Sequence, residues 1–193
     1  TGKPITTARN DIKVLARYFE YYGGAADKVL GQVIPFETGY SVTVTREPHG
    51  VTAHIIPWNY PVQMFGRSVA PALAMGNACV VKPAEDACLA VLEICTLAQE
   101  AGFPAGVLNI VNGYGREAGA ALSAHTDINY ISFTGSPQVG ALVQQAAAAN
   151  SVAVCLELGG KSPQIVFADA DLDRAATTVV KAITQNTGQT CSA

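Results

Sequence analysis

Charged residues are scarce in this chain: they make up 14% of 193 residues, and Lys and Arg occur singly rather than in runs. A nucleic-acid-binding stripe or a polybasic membrane patch would need such runs, so neither is predicted. Long apolar runs are also missing, since none approaches the roughly 18 residues of a membrane span. The first residues, TGKPITTARND, lack the apolar segment of a secretory signal. The composition therefore favours a cytoplasmic protein with a small-molecule partner, and neither a nucleic acid nor a membrane is expected.

Metal-site and disulfide patterns are missing as well. The five cysteines are odd in number and lack CxxC spacing, and the three histidines lie far in sequence from one another and from other ligand residues. No zinc site or disulfide framework is predicted. Four cysteines fall within apolar strand or helix patterns, so we expect them to be packed in the interior: Cys79, Cys88, Cys95 and Cys155.

The apolar residues, 49% of the chain, form a regular pattern in which strands and helices alternate. An amphipathic helix is predicted over 11–22, then a turn at Gly23 and Gly24, then an exposed strand over 40–48. Continuous apolar segments joined by helices favour a parallel sheet that is covered on both faces. Further strands are predicted at 50–58, 78–83, 107–113, 128–135, 152–160 and 163–167. Further helices are predicted at 61–75, 116–123, 137–149 and 171–186, and one more runs from Asp86, its N-cap, to about residue 101.

Four predicted strands end in polar or glycine-rich segments, which read PWNYP, KPAED, FTGSPQVG and ELGGK. Ligands of open parallel sheets bind outside the carboxyl ends of the strands, so we expect these segments to converge. GSPQVG, from Gly135 to Gly140, could bring backbone amides and a helix N-terminus to a phosphate. Its glycine spacing is equally typical of a tight strand-to-helix turn.

The motifs PWN, KPAE, FTGS with Gly140, ELGGKSP and GQTCSA, in this order and spacing, resemble the aldehyde dehydrogenase superfamily of the hydrolytic type. The resemblance covers essentially the whole chain. It implies an α/β fold with a Rossmann-like open parallel sheet, helices on both faces, a projecting β arm and the start of a second α/β catalytic domain. The implied divisions are an N-terminal helical part of the cofactor domain at 1–29, the oligomerisation arm at 30–48, an NAD-binding domain at 49–159 and the beginning of the catalytic domain at 160–193.

The resemblance implies three catalytic residues. Cys191, in a polar loop, corresponds to the nucleophile that forms a thiohemiacetal and then a thioester. Glu157 corresponds to the general base for thioester hydrolysis, although an ion pair with Lys161 is an alternative; its presence favours release of a free acid over transfer to coenzyme A. Asn59 corresponds to the oxyanion donor, and a cap or turn role is its alternative.

The resemblance also implies a dinucleotide site that takes NAD in preference to NADP. Lys82 and Glu85 would bind the adenosine ribose hydroxyls, and the carboxylate would repel a 2′-phosphate. Otherwise Lys82 would be a surface lysine and Glu85 a helix N-terminal charge. Gly135 and Ser136 would approach the pyrophosphate. The remaining predicted cofactor-binding residues are Ile56, Pro57, Trp58, Asn59, Phe133, Val139, Gly140, Leu158 and Gly159.

Asn59, Gln63 and Arg67 recur every four residues, which predicts one helix face beginning at the oxyanion site. We therefore hypothesise that Arg67 overlooks the substrate channel and that the substrate is a semialdehyde or carries another anionic end. A surface or interface salt bridge is the alternative for Arg67.

Family subunits are more than twice this long, so we expect the chain to be an internal fragment with little activity of its own. The resemblance implies a homodimer or homotetramer that is joined through the arm, because the strand at 40–48 has no obvious partner in the sequence. Two alternative functions remain. One is a coenzyme A-acylating dehydrogenase, and the other is a non-catalytic nucleotide-binding or structural module.

Overall fold

The computed structural model describes residues 1–192, so Ala193, the last residue of the GQTCSA motif, lies outside them. Its centre is a five-stranded parallel sheet with the strand order β5-β4-β3-β6-β7. The strands are β3 (Val51–Ile55), β4 (Ala78–Lys82), β5 (Leu108–Ile110), β6 (Tyr130–Gly135) and β7 (Ala153–Leu158). The predicted parallel α/β sheet is confirmed.

Helices cover both faces of this sheet. The α-helices are α1 (Ile5–Ala25), α2 (Pro61–Ala74), α3 (Leu89–Glu100), α4 (Ala120–Ser123), α5 (Pro137–Ala148) and α6 (Leu172–Thr184). One apolar cluster joins α1, α2 and α3 to the sheet around the fully buried Phe65, and the other joins α4 and α5 to it around Ile131. No helix among residues 1–192 is both long and apolar enough to cross a membrane.

Glycines determine how closely two helices approach and where one of them ends. A Cβ on Gly66 of α2 would lie 2.9 Å from a methyl carbon of Leu15 on α1, so a larger residue would push the helices apart. Gly76 follows α2 with φ of +81°, the left-handed conformation that ends many helices. The sequence correctly predicted that this helix begins at Pro61 and that Gly76 lies beyond its end.

Several predicted elements differ from the structure. Gly23 and Gly24 lie inside α1, because neither adopts the positive φ of a turn and the helix continues through them. Asp86 does not cap α3; it lies in a 3₁₀ turn (Glu85–Ala87), and Cys88 occupies the N-cap. No strand forms at 163–167, since none of the described segments pairs with it to satisfy its backbone groups.

The predicted arm is a short antiparallel hairpin rather than a lone strand. β1 (Gln32–Ile34) pairs with β2 (Val42–Val44), so the segment predicted as an unpartnered strand over 40–48 is shorter and has its partner within the chain. Cys155 also departs from its prediction, because β7 is an edge strand and leaves this thiol exposed, and Cys88 and Cys95 are half-buried.

His54 is a titratable group in the centre of the sheet. Its ring Nε2 lies 2.9 Å from the hydroxyl of Thr52, which can donate to the backbone carbonyl of Ala78. The other nitrogen, Nδ1, has no partner among residues 1–192. Burial lowers the pKa of His54 to about 4, so the folded state keeps this imidazole neutral.

The low pKa of His54 predicts a loss of stability in weak acid. Below the ordinary histidine pKa, His54 binds a proton in the unfolded chain but stays neutral in the folded chain. The free energy of unfolding therefore falls as the pH drops from about 6.5 toward 4. The contribution of this one group is on the order of 3 kcal/mol. Urea unfolding across this range should show a shallower pH slope for His54→Gln than for wild type. The exposed His125→Gln should keep the wild-type slope, and equal slopes in all three proteins would contradict the assignment.

Candidate active site

A cleft of about 440 Å³ lies at the carboxyl edge of the sheet, beside the neighbouring strands β3 and β6. The chain goes outward from β3 to β4 and β5 and then returns to β6, so this is the point at which the strand order reverses and where ligands of such sheets bind. The cleft brings together eight of the predicted site residues: Pro57, Trp58, Asn59, Gly135, Ser136, Leu158, Gly159 and Cys191.

The Cys191 thiol is exposed and lines this cleft. It follows a sharp turn in which Asn186, Thr187 and Gly188 all have positive φ. Non-glycine residues hold this conformation only when their surroundings fix it. Here the buried Asn186 donates to the carbonyls of Asn59 and Gln189, and Lys161 donates to the carbonyl of Gly188 at 3.2 Å. The turn therefore holds the cysteine loop against the segment that follows β3.

The side-chain amide of Asn59 is oriented by two hydrogen bonds. Its Oδ1 accepts from the backbone N–H of Tyr60 at 3.1 Å, and its Nδ2 donates to the carbonyl of Gln189 at 3.0 Å. Nδ2 carries two N–H groups, so one remains for a ligand in the cleft. Tyr60, and not Asn59, is the N-cap of α2, so the alternative role of a helix cap is wrong.

Glu157 forms an ion pair with Arg67, so the structure contains the salt bridge that was the alternative role of Arg67, with a partner that the sequence did not identify. Its Oε1 accepts from Nη2 of Arg67 at 2.9 Å, and both side chains are about half exposed. The alternative partner, Lys161, instead contacts the carbonyl of Gly188. Glu157 is not among the residues that line the cleft, although its neighbour Leu158 is.

The predicted common face of α2 divides between two contacts. Gln63 donates to Asp11 of α1 at 2.6 Å, whereas Arg67 turns to Glu157 on β7. Arg67 lines a neighbouring cavity of about 630 Å³ that also contains His54 and Cys155. Among the described residues it thus lies beside the Cys191 cleft rather than in its wall.

Lys82, the last residue of β4, is buried and forms an ion pair with the exposed Glu85. Lys82 is 3% exposed, and its Nζ donates to the carbonyl of Pro83 at 2.9 Å and to Glu85 at 3.3 Å. A solvated surface lysine is therefore excluded. A backbone hydrogen bond and then the Lys82 ammonium lower the pKa of the Glu85 carboxyl, while burial opposes the shift. Glu85 is ionised at neutral pH, and its side chain is 41% exposed.

The start of α5 packs tightly against the end of the sheet. A Cβ on Gly140 would lie 2.6 Å from a methyl carbon of Leu158, and one on Gly135 would lie 2.5 Å from the ring of Phe133. Ser136 is the N-cap, and its hydroxyl accepts from the N–H of Val139 at 3.3 Å. The N-terminus of a twelve-residue helix therefore faces the edge of the cleft, an arrangement suited to a phosphate.

The other predicted cofactor residues lie behind or beside the cleft. Ile56 and Phe133 are buried, Gly140 is buried on the face of α5 that meets Leu158, and Val139 is exposed on the first turn of α5. The sequence reasoning missed Lys3, Asp11, Tyr60 and Asn186, which hold the cleft from behind. The run Asn186–Thr187–Gly188 did contain a signal, because Asn and Gly tolerate the left-handed conformation.

The family model described as "Aldehyde dehydrogenase family" matches residues 1–193. A hydroxyisobutyraldehyde dehydrogenase of Mycolicibacterium austroafricanum is 48% identical over 193 residues, which are 100% of this chain and 38% of that protein. A Burkholderia cenocepacia crystal structure that is described as an aldehyde dehydrogenase by similarity has a TM-score of 0.98 and 68% identity, covering 100% of this chain and 41% of that one. An NAD⁺ complex of the Bacillus cereus aldehyde dehydrogenase has a TM-score of 0.97 and 44% identity, covering 100% and 39%. The chain thus spans about two fifths of the length of these proteins.

Proposed function

This chain belongs to the aldehyde dehydrogenase family, and we propose that its protein oxidises an aldehyde to the carboxylic acid with NAD. The observation that carries the proposal is the meeting of an exposed thiol, an oriented amide and a helix N-terminus at one cleft. Cys191 supplies the nucleophile, Asn59 the oxyanion donor and the start of α5 a place for the pyrophosphate.

In the proposed reaction the Cys191 thiolate attacks the aldehyde carbon, and the carbonyl electron pair moves onto oxygen. The free N–H of Asn59 stabilises that oxyanion. When bound, NAD supplies the acceptor for the hydride that leaves this carbon, which converts the adduct into a thioester on Cys191. Glu157 then takes a proton from water as the water adds to the thioester, and the acid and the thiolate are released. Because the Glu157 carboxylate is paired with Arg67 outside the cleft, it would turn away from this partner to act as the base.

The residues present fit an NAD molecule. Gly140 leaves no room for a Cβ where α5 meets Leu158 of β7, which keeps the amides at the helix N-terminus close to the cleft. The Lys82 and Glu85 pair supplies a donor and an ionised acceptor for ribose hydroxyls. An ionised Glu85 would repel the 2′-phosphate of NADP, which supports NAD as the cofactor.

Neutralising Glu85 should relax this preference. In the full-length protein, Glu85→Gln is expected to narrow the ratio of NADP to NAD dissociation constants by about tenfold, since one charge repulsion of roughly 1.4 kcal/mol is removed. Isothermal titration with both dinucleotides measures the ratio. Glu93→Gln, which neutralises an exposed carboxylate on α3, should leave it unchanged. A wild-type ratio in Glu85→Gln would contradict the assigned role.

The test of the proposed function is the product of the full-length protein. Incubation with NAD and a series of aldehydes should give reduced NAD and the free carboxylic acid in equal amounts, without added coenzyme A. An absolute requirement for coenzyme A would assign the acylating reaction instead. Dinucleotide binding without oxidation of any aldehyde in the series would favour the non-catalytic module.

The substrate proposal includes an anionic end that contacts Arg67. Its guanidinium has five N–H donors, and about half of the side chain is exposed beside Glu157, so donors remain available. The ratio of kcat/KM for a semialdehyde acid and for a neutral aldehyde of equal length measures this preference, and a ratio near one would contradict it.

The proposal also covers location and assembly. All five cysteines are free thiols, which is the usual state in the cytoplasm and supports that location. The hairpin β1–β2 exposes Val33, and the adjoining residues Leu30, Phe36 and Tyr40 are exposed as well; such a surface suits contact with a second copy in a homodimer or homotetramer. Native mass spectrometry of the full-length protein determines the number of copies.

A further inference from the structure

A buried ion pair lies behind the Asn59 segment, outside the residues assigned to catalysis. Lys3 Nζ lies 2.6 Å from Oδ2 of Asp11, and their side chains are 8% and 4% exposed. Removing two charges from water is costly, and a buried pair often contributes little net stability compared with apolar residues. The position of this pair therefore needs a reason other than stability.

Lys3 connects the pair to the proposed oxyanion site. Its ammonium also donates to the backbone carbonyl of Asn59 at 2.9 Å and lies 3.5 Å from the centroid of the Tyr60 ring. The other oxygen of Asp11 accepts from Gln63 on α2. Lys3 is thus held by Asp11 and in turn holds the segment that presents Asn59.

The same carbonyl of Asn59 links this pair to the cysteine loop. It accepts a second hydrogen bond, from Nδ2 of Asn186 at 3.2 Å. Asn186 Nδ2 also lies 3.1 Å from the carbonyl of Gln189, which accepts from the Asn59 side chain as well. The contacts form a closed network from Lys3 through Asn59 to Gln189, two residues before Cys191.

We propose that Lys3, held in place by Asp11, is a positioning residue that fixes the Asn59 amide and the Cys191 loop relative to each other. This inference rests on the proposed function of the same site. Lys3 acts through the Asn59 carbonyl and does not itself contact the reacting atoms. Losing it would leave the amide and the thiol loosely placed, and misplacement of about 1 Å can cost roughly a hundredfold in rate.

The test is a mutant cycle in the full-length protein with an aldehyde and NAD. Lys3→Met is expected to lower kcat by about tenfold to a hundredfold with little change in KM or NAD affinity. In an Asn59→Ala background the same substitution should lower kcat by a smaller factor than in wild type, because the amide that Lys3 positions is gone and only its effect on the Cys191 loop, through the Asn59 backbone carbonyl, remains. Lys3→Arg, which keeps the charge opposite Asp11, should restore most of the rate. Lys13→Met, on the exposed side of α1, should behave as wild type.

Hydrogen exchange provides a readout that does not depend on turnover. Amides of residues 186–192 should exchange faster in Lys3→Met than in wild type or Lys13→Met. If Lys3→Met alone does not fold, the double variant Lys3→Met/Asp11→Asn replaces it, because it leaves no unpaired buried charge. Its kcat and its hydrogen exchange are then compared with those of wild type and Lys13→Met. An unchanged kcat, an equal further loss in the Asn59→Ala background or unchanged exchange would overturn the inference. A wild-type protein that oxidises no aldehyde would overturn the proposed function, and the exchange comparison would still decide the role of Lys3.

Discussion

Cys191→Ser in the full-length protein is expected to lower kcat for aldehyde oxidation by on the order of a thousandfold or more, while NAD still binds. The substitution changes one atom in the exposed loop that lines the cleft. A serine hydroxyl is a far weaker nucleophile near neutral pH than a thiolate, and no histidine lines the cleft among the described residues to activate it. The stated loss follows if the carbon–sulfur bond is formed on the path to product.

Cys155→Ser is the matched control for this experiment. Cys155 is also an exposed thiol, but it lies on β7 and lines the neighbouring cavity. Its replacement should leave kcat and KM near the wild-type values. Iodoacetamide adds a second comparison, since a catalytic Cys191 should be alkylated faster than Cys155 and be protected by bound aldehyde and NAD. Wild-type turnover in Cys191→Ser, or equal alkylation of both thiols, would remove the basis of the proposed mechanism.

The sequence predicted most of the sheet because its physical signals are local. Apolar strands of three to six residues alternate with helices, and the residues that follow β3, β6 and β7 meet because parallel strands end at one edge. Asn59 and Ser136 could therefore be assigned to one cleft, whereas Cys191, which follows α6, was assigned there by the family resemblance. The prediction of a strand at 163–167 was wrong for a related reason. An apolar segment forms a strand only where another strand is available to pair with it.

The contacts behind the cleft could not be predicted, because they join residues far apart in the chain. The hydrogen bond from Lys3 to Asn59 spans 56 positions, and that from Asn186 to Asn59 spans 127. Lys82 posed another difficulty: a lone lysine after a strand is usually solvated, and only the packing of residues such as Gly119 over its side chain reveals its burial. The pairing of Glu157 with Arg67 rather than with Lys161 likewise joins residues that are 90 positions apart in the chain.

Glu157→Gln is expected to separate the two halves of the proposed reaction. Thioester formation does not need the Glu157 base, so mixing enzyme with aldehyde and NAD should give a rapid burst of about one reduced NAD per active site. Hydrolysis does need it, so the steady-state rate after the burst should fall by roughly a hundredfold or more. Rapid mixing with detection of reduced NAD measures both phases, and mass spectrometry of the quenched protein should find an acyl group on Cys191.

Arg67→Met distinguishes the base from the ion pair observed in the structure. Both groups are about half exposed, and such pairs are typically worth about 1 kcal/mol or less, so breaking the pair should change stability little. If Glu157 served only to hold Arg67, both substitutions would slow turnover alike and neither would give a burst. If Glu157 is the base, Arg67→Met keeps its carboxylate and should retain hydrolysis of a neutral acyl group. A rapid steady state in Glu157→Gln would mean that another group activates the water. If the wild-type protein turned over only when coenzyme A was added, the acyl acceptor would be a thiol instead of water.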